Sequence, residues 1–164
     1  MADQLGENKD AGEGSIKDRF LTFLLGEELF GVELSQVMEI GGLQPITEIP
    51  VTPEYVKGVA NLRGNIIPFM DARLRLKKPP AEYDDRTCVI VIAIGGGSVG
   101  LIVDGVSEVL AIPREDIANN PERNSGNGGY VKNIGKLGSK VILLLDCEKL
   151  LSTGGHRAVR DSPQ

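Results

Sequence analysis

The chain repeats itself, and this repeat limits the folds open to it more than any other feature. Shifted by 69 residues, the segment Phe20–Ile40 lies on Val89–Val109 without a gap. Shifted by 75 residues, Tyr55–Leu76 lies on Tyr130–Leu151. Glycines and apolar residues coincide in both alignments, so the two halves of the chain are expected to adopt similar structures.

Lys77-Lys78-Pro79-Pro80 is interpreted as the connector between the two halves. The difference between the offsets (75 minus 69, or six residues) falls in the loop Arg114–Gly129. Each half is too small for a large core of its own, so we expect subdomains of about 19–80 and 86–152 that pack together across a groove. Residues 1–18 and 153–164 are polar with few apolar anchors, which predicts a disordered N-terminal tail and a flexible C-terminal tail.

Short apolar runs rich in Val, Ile and Leu, punctuated by glycine and proline, predict an all-β barrel or sandwich with little helix. Hairpins are expected within Phe20–Leu34 and Cys88–Val103, each across a glycine turn. Val141–Leu145 is nearly pure apolar and predicts a buried strand. Val56–Leu62 is compatible with a strand or a helical turn. Asp146 suits the N-cap of a short helix over Cys147–Leu151.

Composition and charge exclude several classes of protein. The net charge of -5 and the pI near 5.0 argue against nucleic-acid binding, which needs clustered Lys and Arg. Acidic residues rather than a basic and then apolar stretch open the chain, and no apolar run reaches the roughly 18 residues of a membrane span, so a cytoplasmic location is expected. Cys88 and Cys147 lie in apolar runs and are interpreted as core residues rather than a disulfide.

Little in the sequence favours catalysis or a cofactor. Gly95–Gly100 fits GxGxxG, but a dinucleotide site also needs a helix at that point, and the next residues are β-rich. A hairpin turn explains the glycines, and a small ligand-binding or enzymatic β-barrel remains a minor alternative. The single histidine, His156, falls in the C-terminal tail. Asp71 and Asp146 are interpreted as caps or turns, so we expect neither an enzyme nor a metal site.

Comparison of the two copies singles out residues that the shared scaffold does not require. Arg63 has Gly138 as its repeat equivalent, and Gly58 has Asn133. Arg63 is therefore either a surface arginine in a local ion pair or an interface anchor, a role in which arginine is enriched. Gly58 is either a backbone position with positive φ or part of a binding surface. A structural role is favoured for Glu39, since its repeat equivalent Glu108 is also a glutamate.

Four motifs in order resemble the CheW family over about residues 19–152. The segment Tyr55–Gly64 followed by Ile66-Ile67-Pro68 and Asp71 resembles the hallmark of CheW-like domains. The segment Phe23–Ile40 is similar to the opening hairpin of that family, Val103–Leu110 to its second-half signature, and Asp146–Leu151 to its closing turn.

This resemblance implies two SH3-like, five-stranded β-barrels related by pseudo-twofold symmetry, with short helices at the connections and the C-terminus. It also implies a non-catalytic adaptor without cofactors, which binds the cytoplasmic tip of a chemoreceptor and the regulatory domain of the histidine kinase CheA. An adaptor of a chemotaxis-like pathway with other receptors and kinases is the alternative. Carried over by position, receptor contact is implied for Leu34, Val37, Glu39, Gly58, Arg63 and Val109, and kinase contact for Val99 and Val106.

Overall fold

The computed structural model describes residues 18–122 and 129–151. Both predicted tails apart from Asp18 lie outside these residues, as does His156. Within them the chain forms eleven strands and two short helices, α1 (Ala72–Arg75) and α2 (Cys147–Leu151). Single 3₁₀ turns cover Leu34–Gln36 and Arg114–Asp116. The strands are β1 (Arg19–Leu25), β2 (Glu28–Glu33), β3 (Val37–Gly42), β4 (Val56–Leu62), β5 (Asn65–Asp71), β6 (Cys88–Ile94), β7 (Gly97–Val103), β8 (Gly105–Ala111), β9 (Ile117–Asn119), β10 (Val131–Leu137) and β11 (Lys140–Leu145).

The order of elements confirms the repeat. Strands β1 to β5 and helix α1 correspond in sequence to β6, β7, β8, β10, β11 and α2. Strands β4 and β10 begin and end 75 residues apart, so Val56–Leu62 is a strand and not a helical turn. Strand β9 has a reduced counterpart in the first half, where a single bridge pairs Thr47 with Val59.

The two halves exchange their hairpins. Sheet I has the strand order β8-β1-β2-β11-β10-β9, and sheet II has the order β3-β6-β7-β5-β4. The hairpin β1–β2 therefore lies among strands of the second half, and β6–β7 among strands of the first. Parallel pairs, β2 with β11 and β5 with β7, join each exchanged hairpin to its host sheet. Each sheet contains the five strands expected for a barrel, and β9 adds a sixth to sheet I.

Three apolar clusters fill the fold. The central core lies between the sheets and contains Phe23, Val32, Ile90 and Leu101, together with Leu150 of α2. Smaller clusters lie inside each barrel, one within sheet II and one within sheet I. Each large side chain buried in this way stabilises the fold by about 1.5–3 kcal/mol relative to exposure. Because the central core draws on both sheets, the two barrels form one packed unit.

The repeated glycines mark places where neighbouring elements approach closely. A Cβ atom on Gly100 would lie 2.7 Å from ring carbons of Phe69, and one on Gly31 would lie 3.0 Å from Leu144. Both glycines occupy the parallel junctions, where Gly100 pairs with Phe69 and Gly31 with Leu144. Close packing at the exchange points therefore explains why both copies carry glycine there.

An aspartate directly precedes and caps each short helix, as the sequence predicts. An Asp71 carboxylate oxygen accepts a hydrogen bond from the Leu74 N–H at 3.1 Å. An Asp146 oxygen accepts one from the Lys149 N–H at 3.2 Å. These bonds satisfy N–H groups in the first turn of each helix, so both aspartates are caps.

Candidate functional site

Arg63 and Glu39 form an ion pair at the outer end of sheet II. Arg63 Nε lies 3.0 Å from Glu39 Oε1, and the Arg63 side chain is 76% exposed against 30% for Glu39. Arg63 occupies the turn between β4 and β5, with φ of 56°, and Gly64 follows with φ of 85°. The Asn61 side chain accepts the Gly64 N–H at 2.9 Å and fixes this turn. The pair thus connects the edge strand β3 to the β4–β5 turn.

Large apolar side chains are exposed on the strands that this ion pair connects. Met38 and Ile40 on β3 and Ile66 on β5 are all exposed. The register between β3 and β6 shifts between Val37 and Glu39, which is a β-bulge at Met38. We call the set Met38, Glu39, Ile40, Arg63 and Ile66 the Glu39 patch. Exposed apolar groups gathered around a charged pair are typical of protein-binding surfaces.

The second half carries an equivalent surface on sheet I. Glu108 Oε2 lies 2.8 Å from Lys140 Nζ, and Val109 and Val141 are exposed beside this pair. Val109 is the repeat equivalent of Ile40, and Val141 is the equivalent of Ile66. We call Glu108, Val109, Lys140 and Val141 the Glu108 patch. The predicted buried strand Val141–Leu145 lies within β11, and Ile142, Leu144 and Leu145 are buried, but Val141 is 53% exposed.

A shallow groove of about 600 Å³ borders the Glu108 patch. Leu24, Leu29 and Leu143 supply its apolar surface, and Glu27, Glu28 and Lys140 supply charge. Strand β8 is held beside the groove by Thr22, whose buried hydroxyl donates to the Glu108 carbonyl at 2.6 Å and accepts the Glu108 N–H. These two hydrogen bonds fix the β-bulge in β8 that contains Glu108.

Leu34, Val37 and Val106 lie at the seam between the two sheets. All three are partly buried and pack against the central core. Val37 pairs with Ile92 and Val106 with Phe23, so repeat equivalents occupy equivalent positions. Val109 pairs with Leu21 of the central core. Cross-strand partners share a face of a sheet, which places Val109 on the side of β8 that faces the seam.

Two residues implied by the family resemblance are buried instead. Val99 is only 1% exposed within the central core, so its side chain has no surface to offer a kinase. Gly58 is also buried, with φ of 142°, and a Cβ atom there would lie 2.1 Å from the Thr47 carbonyl oxygen. The structure gives both residues packing roles. Gly58 lets the segment before β4 lie against that strand, which is a strand position rather than a turn.

The start of β8 is secured by an ion pair that contains several hydrogen bonds. Arg73 on α1 donates from Nη2 to Asp104 Oδ2 at 2.5 Å and from Nε to Oδ1 at 2.9 Å. The Gly26 N–H donates to the same carboxylate at 2.7 Å. Hydrogen bonds from Arg73 lower the pKa of Asp104. The carboxylate therefore stays charged and ties α1, the β1–β2 turn and β8 together.

Three features of the described residues bear on metal, nucleotide and thiol chemistry. Among residues 18–122 and 129–151, no three His, Cys, Asp or Glu side chains are grouped to hold a metal ion. Gly95 and Gly96 have positive φ and form a hairpin turn, and β7 begins at Gly97 where a dinucleotide site would need a helix. Burial raises the pKa of the Cys147 thiol to about 12, which leaves it unreactive. No helix in the same residues could cross a membrane.

Sequence reasoning missed part of both patches. Met38, Ile40 and Ile66 were not singled out, although Ile40 aligns with Val109 in the repeat. The alternation of apolar and polar residues along β3 suggests one buried face, but the bulge at Met38 interrupts it. Lys140 pairs with Glu108 in the second barrel as Arg63 pairs with Glu39 in the first.

The fold and its surfaces define a class of protein: a doubled β-barrel scaffold that presents apolar patches and ion pairs to other proteins. Comparison with known proteins makes the assignment specific. The CheW-like domain family matches residues 19–154. Chemotaxis protein CheW from Klebsiella aerogenes is 41% identical over 154 residues, covering 93% of this chain and 92% of that protein. Chemotaxis protein CheW from Treponema pallidum is 32% identical over 140 residues, covering 82% of each chain.

A solved structure agrees with these relatives. The scaffolding protein TtCheW from Thermoanaerobacter tengcongensis superposes with a TM-score of 0.79 at 33% identity, covering 85% of this chain and 95% of that one. The chain therefore belongs to the CheW family of chemotaxis adaptors, as its motifs predict.

Proposed function

We propose that this chain couples the cytoplasmic tip of a chemoreceptor to the histidine kinase CheA, in the cytoplasm at receptor arrays on the inner face of the membrane. The receptor surface is the seam formed by Leu34, Val37 and Val109, with Glu39 and Arg63 at its rim. The surface for the regulatory domain of CheA includes Val106 and extends to Val141. The protein catalyses no reaction in this role.

The observation that carries this proposal is the Glu39–Arg63 ion pair set among exposed apolar side chains. Two of these side chains, Met38 and Ile40, flank Glu39 on a single edge strand. A helix that lays its apolar face on such a surface would cover them. Arg63, which is 76% exposed, remains free to rotate toward a polar group of that helix.

The energetics favour recognition through a few residues. Burying an apolar side chain of this size contributes about 1.5–3 kcal/mol when it is fully covered. Only the surplus over the cost of ordering both partners appears as affinity, so small seams support reversible binding. An arginine at the rim adds selectivity, because it can donate several hydrogen bonds to a carboxylate or carbonyl.

Val109→Asp tests the receptor surface. Val109 is exposed, so a carboxylate there leaves the core intact and yet opposes contact with an apolar helix face. We expect the Kd for a receptor-tip fragment to rise about tenfold or more, since burying an unpaired charge costs at least about 1.4 kcal/mol. Val37→Asp is a less direct test, because Val37 also packs against the central core.

Ser139→Asp is the matched control, because it adds the same charge at an exposed turn between β10 and β11. It should bind the receptor fragment as the unmodified protein does. If Val109→Asp binds as well as this control while both melt at the same temperature, the receptor surface lies elsewhere. Val141→Asp should weaken binding of the CheA regulatory domain and leave receptor binding unchanged. Weaker receptor binding with unchanged CheA binding would contradict the assignment of Val141 to the kinase surface.

A further inference from the structure

Arg75 lies between two tyrosines that are equivalent in the repeat. Its guanidinium carbon is 4.5 Å from the centre of the Tyr55 ring and 4.4 Å from the centre of the Tyr130 ring. Tyr55 directly precedes β4 of sheet II, and Tyr130 directly precedes β10 of sheet I. One cation is therefore held by aromatic rings from both barrels, at a distance where cation–π attraction is effective.

The same guanidinium also binds the main chain of the opposite barrel. Arg75 Nε donates to the Leu150 carbonyl at 2.8 Å. Arg75 belongs to α1, which follows β5 of sheet II, whereas Leu150 belongs to α2, which follows β11 of sheet I. Carbonyls at a helix C-terminus carry partial negative charge, so a cation is well placed there.

Main-chain hydrogen bonds hold the backbone of both tyrosines in equivalent positions. The Tyr55 carbonyl accepts the Asp71 N–H at 2.7 Å, and the Tyr130 carbonyl accepts the Asp146 N–H at 2.8 Å. These bonds tie each tyrosine to the strand end and helix start of its own barrel. Only the link across the barrels is asymmetric, because the repeat equivalent of Arg75 is Leu150, a fully buried core residue. The repeated scaffold itself therefore does not require an arginine at this position.

We infer that Arg75 is a positioning residue that fixes the angle between the two barrels. The receptor seam is made from both barrels, since Val37 begins β3 of sheet II and Val109 lies on β8 of sheet I. A loosened angle would disturb that seam. Val141 lies on sheet I and does not pack on the central core, so that part of the kinase surface would keep its shape, whereas Val106 lies at the seam itself. The effect on binding rests on the proposed function, whereas the fixed angle does not.

The angle is tested by the distance between spin labels on the two barrels. Ala93→Cys on β6 and Lys136→Cys on β10 place labels at exposed strand positions of sheets II and I. Cys88→Ser removes the natural thiol that the spin-label reagent could reach, and Cys147 is kept because it is buried. Pulsed electron–electron double resonance should give a narrow distribution of label-to-label distances when Arg75 is present. Arg75→Leu, which copies the residue of the other half, should broaden that distribution and shift its mean.

Tyr130→Phe is the matched control, because it keeps the ring that faces the guanidinium and removes only the hydroxyl. It should leave the distribution unchanged. An unchanged distribution in Arg75→Leu overturns the inference. If Arg75→Leu does not fold, Arg75→Lys decides the question, because it keeps the charge but loses the planar guanidinium group. A broadened distance distribution in Arg75→Lys supports the inference, and a narrow, unshifted distribution overturns it.

Binding supplies a second readout that a general loss of stability would not produce. If the competent angle is populated in about one Arg75→Leu molecule in ten, the apparent Kd for a receptor-tip fragment rises about tenfold. The Kd for the CheA regulatory domain should rise much less, because Val141 lies outside the seam and only Val106 of that surface is part of it. An equal rise in the Kd values for both partners would overturn the positioning role. If the unmodified protein binds neither partner, the proposed function fails, and the spin-label result still decides whether Arg75 fixes the angle.

Discussion

Replacing Arg63 by glycine should separate stability from binding. Arg63 has φ of 56°, a left-handed conformation, and its repeat equivalent Gly138 has φ of 62°. A side chain in this region is strained, whereas glycine adopts it freely. Arg63→Gly therefore gives the first turn the residue that the second turn already has.

The expected change in the free energy of unfolding is small because opposing contributions nearly cancel. Relief of the left-handed strain stabilises the variant by about 1–2 kcal/mol. The greater freedom of glycine in the unfolded chain costs about 0.5–1 kcal/mol. Loss of the pair with Glu39, an exposed contact at 3.0 Å, costs about 0.2–1 kcal/mol. The net change should stay within about 1 kcal/mol, or about 2–4 °C in Tm.

Binding should change far more than stability. An arginine anchor at an interface contributes about 2 kcal/mol or more, which corresponds to roughly a thirtyfold rise in Kd. Calorimetric titration with a receptor-tip fragment measures the affinity, and thermal denaturation followed by circular dichroism measures the stability. Tm should stay nearly constant while receptor affinity falls.

Gly138→Arg is the reciprocal control. No atom lies within 4 Å of a Cβ placed on Gly138, so the substitution fits sterically. It should lose about 1 kcal/mol through backbone strain and gain no receptor affinity. Unchanged receptor binding by Arg63→Gly would refute the role of Arg63 as an anchor. A loss of stability above 3 kcal/mol in that variant would refute the account of the turn.

Three further outcomes follow from the same structure. Gly58→Ala should lose about 2–3 kcal/mol in thermal denaturation, because its Cβ would lie 2.1 Å from the Thr47 carbonyl oxygen; an unchanged Tm would contradict this close contact. The lowered pKa of Asp104 means that its stabilising effect is full above its ordinary value of 3.8 and is lost as pH falls through the lower folded value. Acid titration of stability should therefore be flatter in Asp104→Asn than in the unmodified protein, and identical slopes would argue against the Arg73 pair. A thiol reagent at pH 8 should modify Cys88 readily and Cys147 only on unfolding, since burial raises the pKa of Cys147 to about 12; two thiols of equal rate would contradict this.

The repeat explains why the strands could be predicted from sequence. The hairpin-turn glycines Gly26 and Gly95 are equivalent at an offset of 69 residues, and both have positive φ. Asp71 and Asp146 are likewise equivalent caps of short helices. Local turn and cap chemistry is encoded within a few neighbouring residues, so two independent copies of the pattern identify it reliably.

The exchange of hairpins could not be predicted in the same way. The parallel pairings of β2 with β11 and β5 with β7 join residues distant in the chain, and either host sheet would accept an apolar hairpin. Val99 illustrates the consequence, since the family resemblance implies a surface role, whereas its side chain lies in the central core between the two sheets. The bulge at Met38 was hidden for a related reason: a single extra residue changes the exposure of every residue after it.

Reconstitution of signalling tests the central claim most directly. The purified protein, a receptor fragment and CheA are combined, and kinase activity is measured with and without the receptor's stimulus. Kinase activity should come under receptor control only when this chain is present, and Val109→Asp should weaken that control while Ser139→Asp preserves it. Receptor control of equal strength in the absence of the chain, or undiminished control with Val109→Asp, would contradict the account.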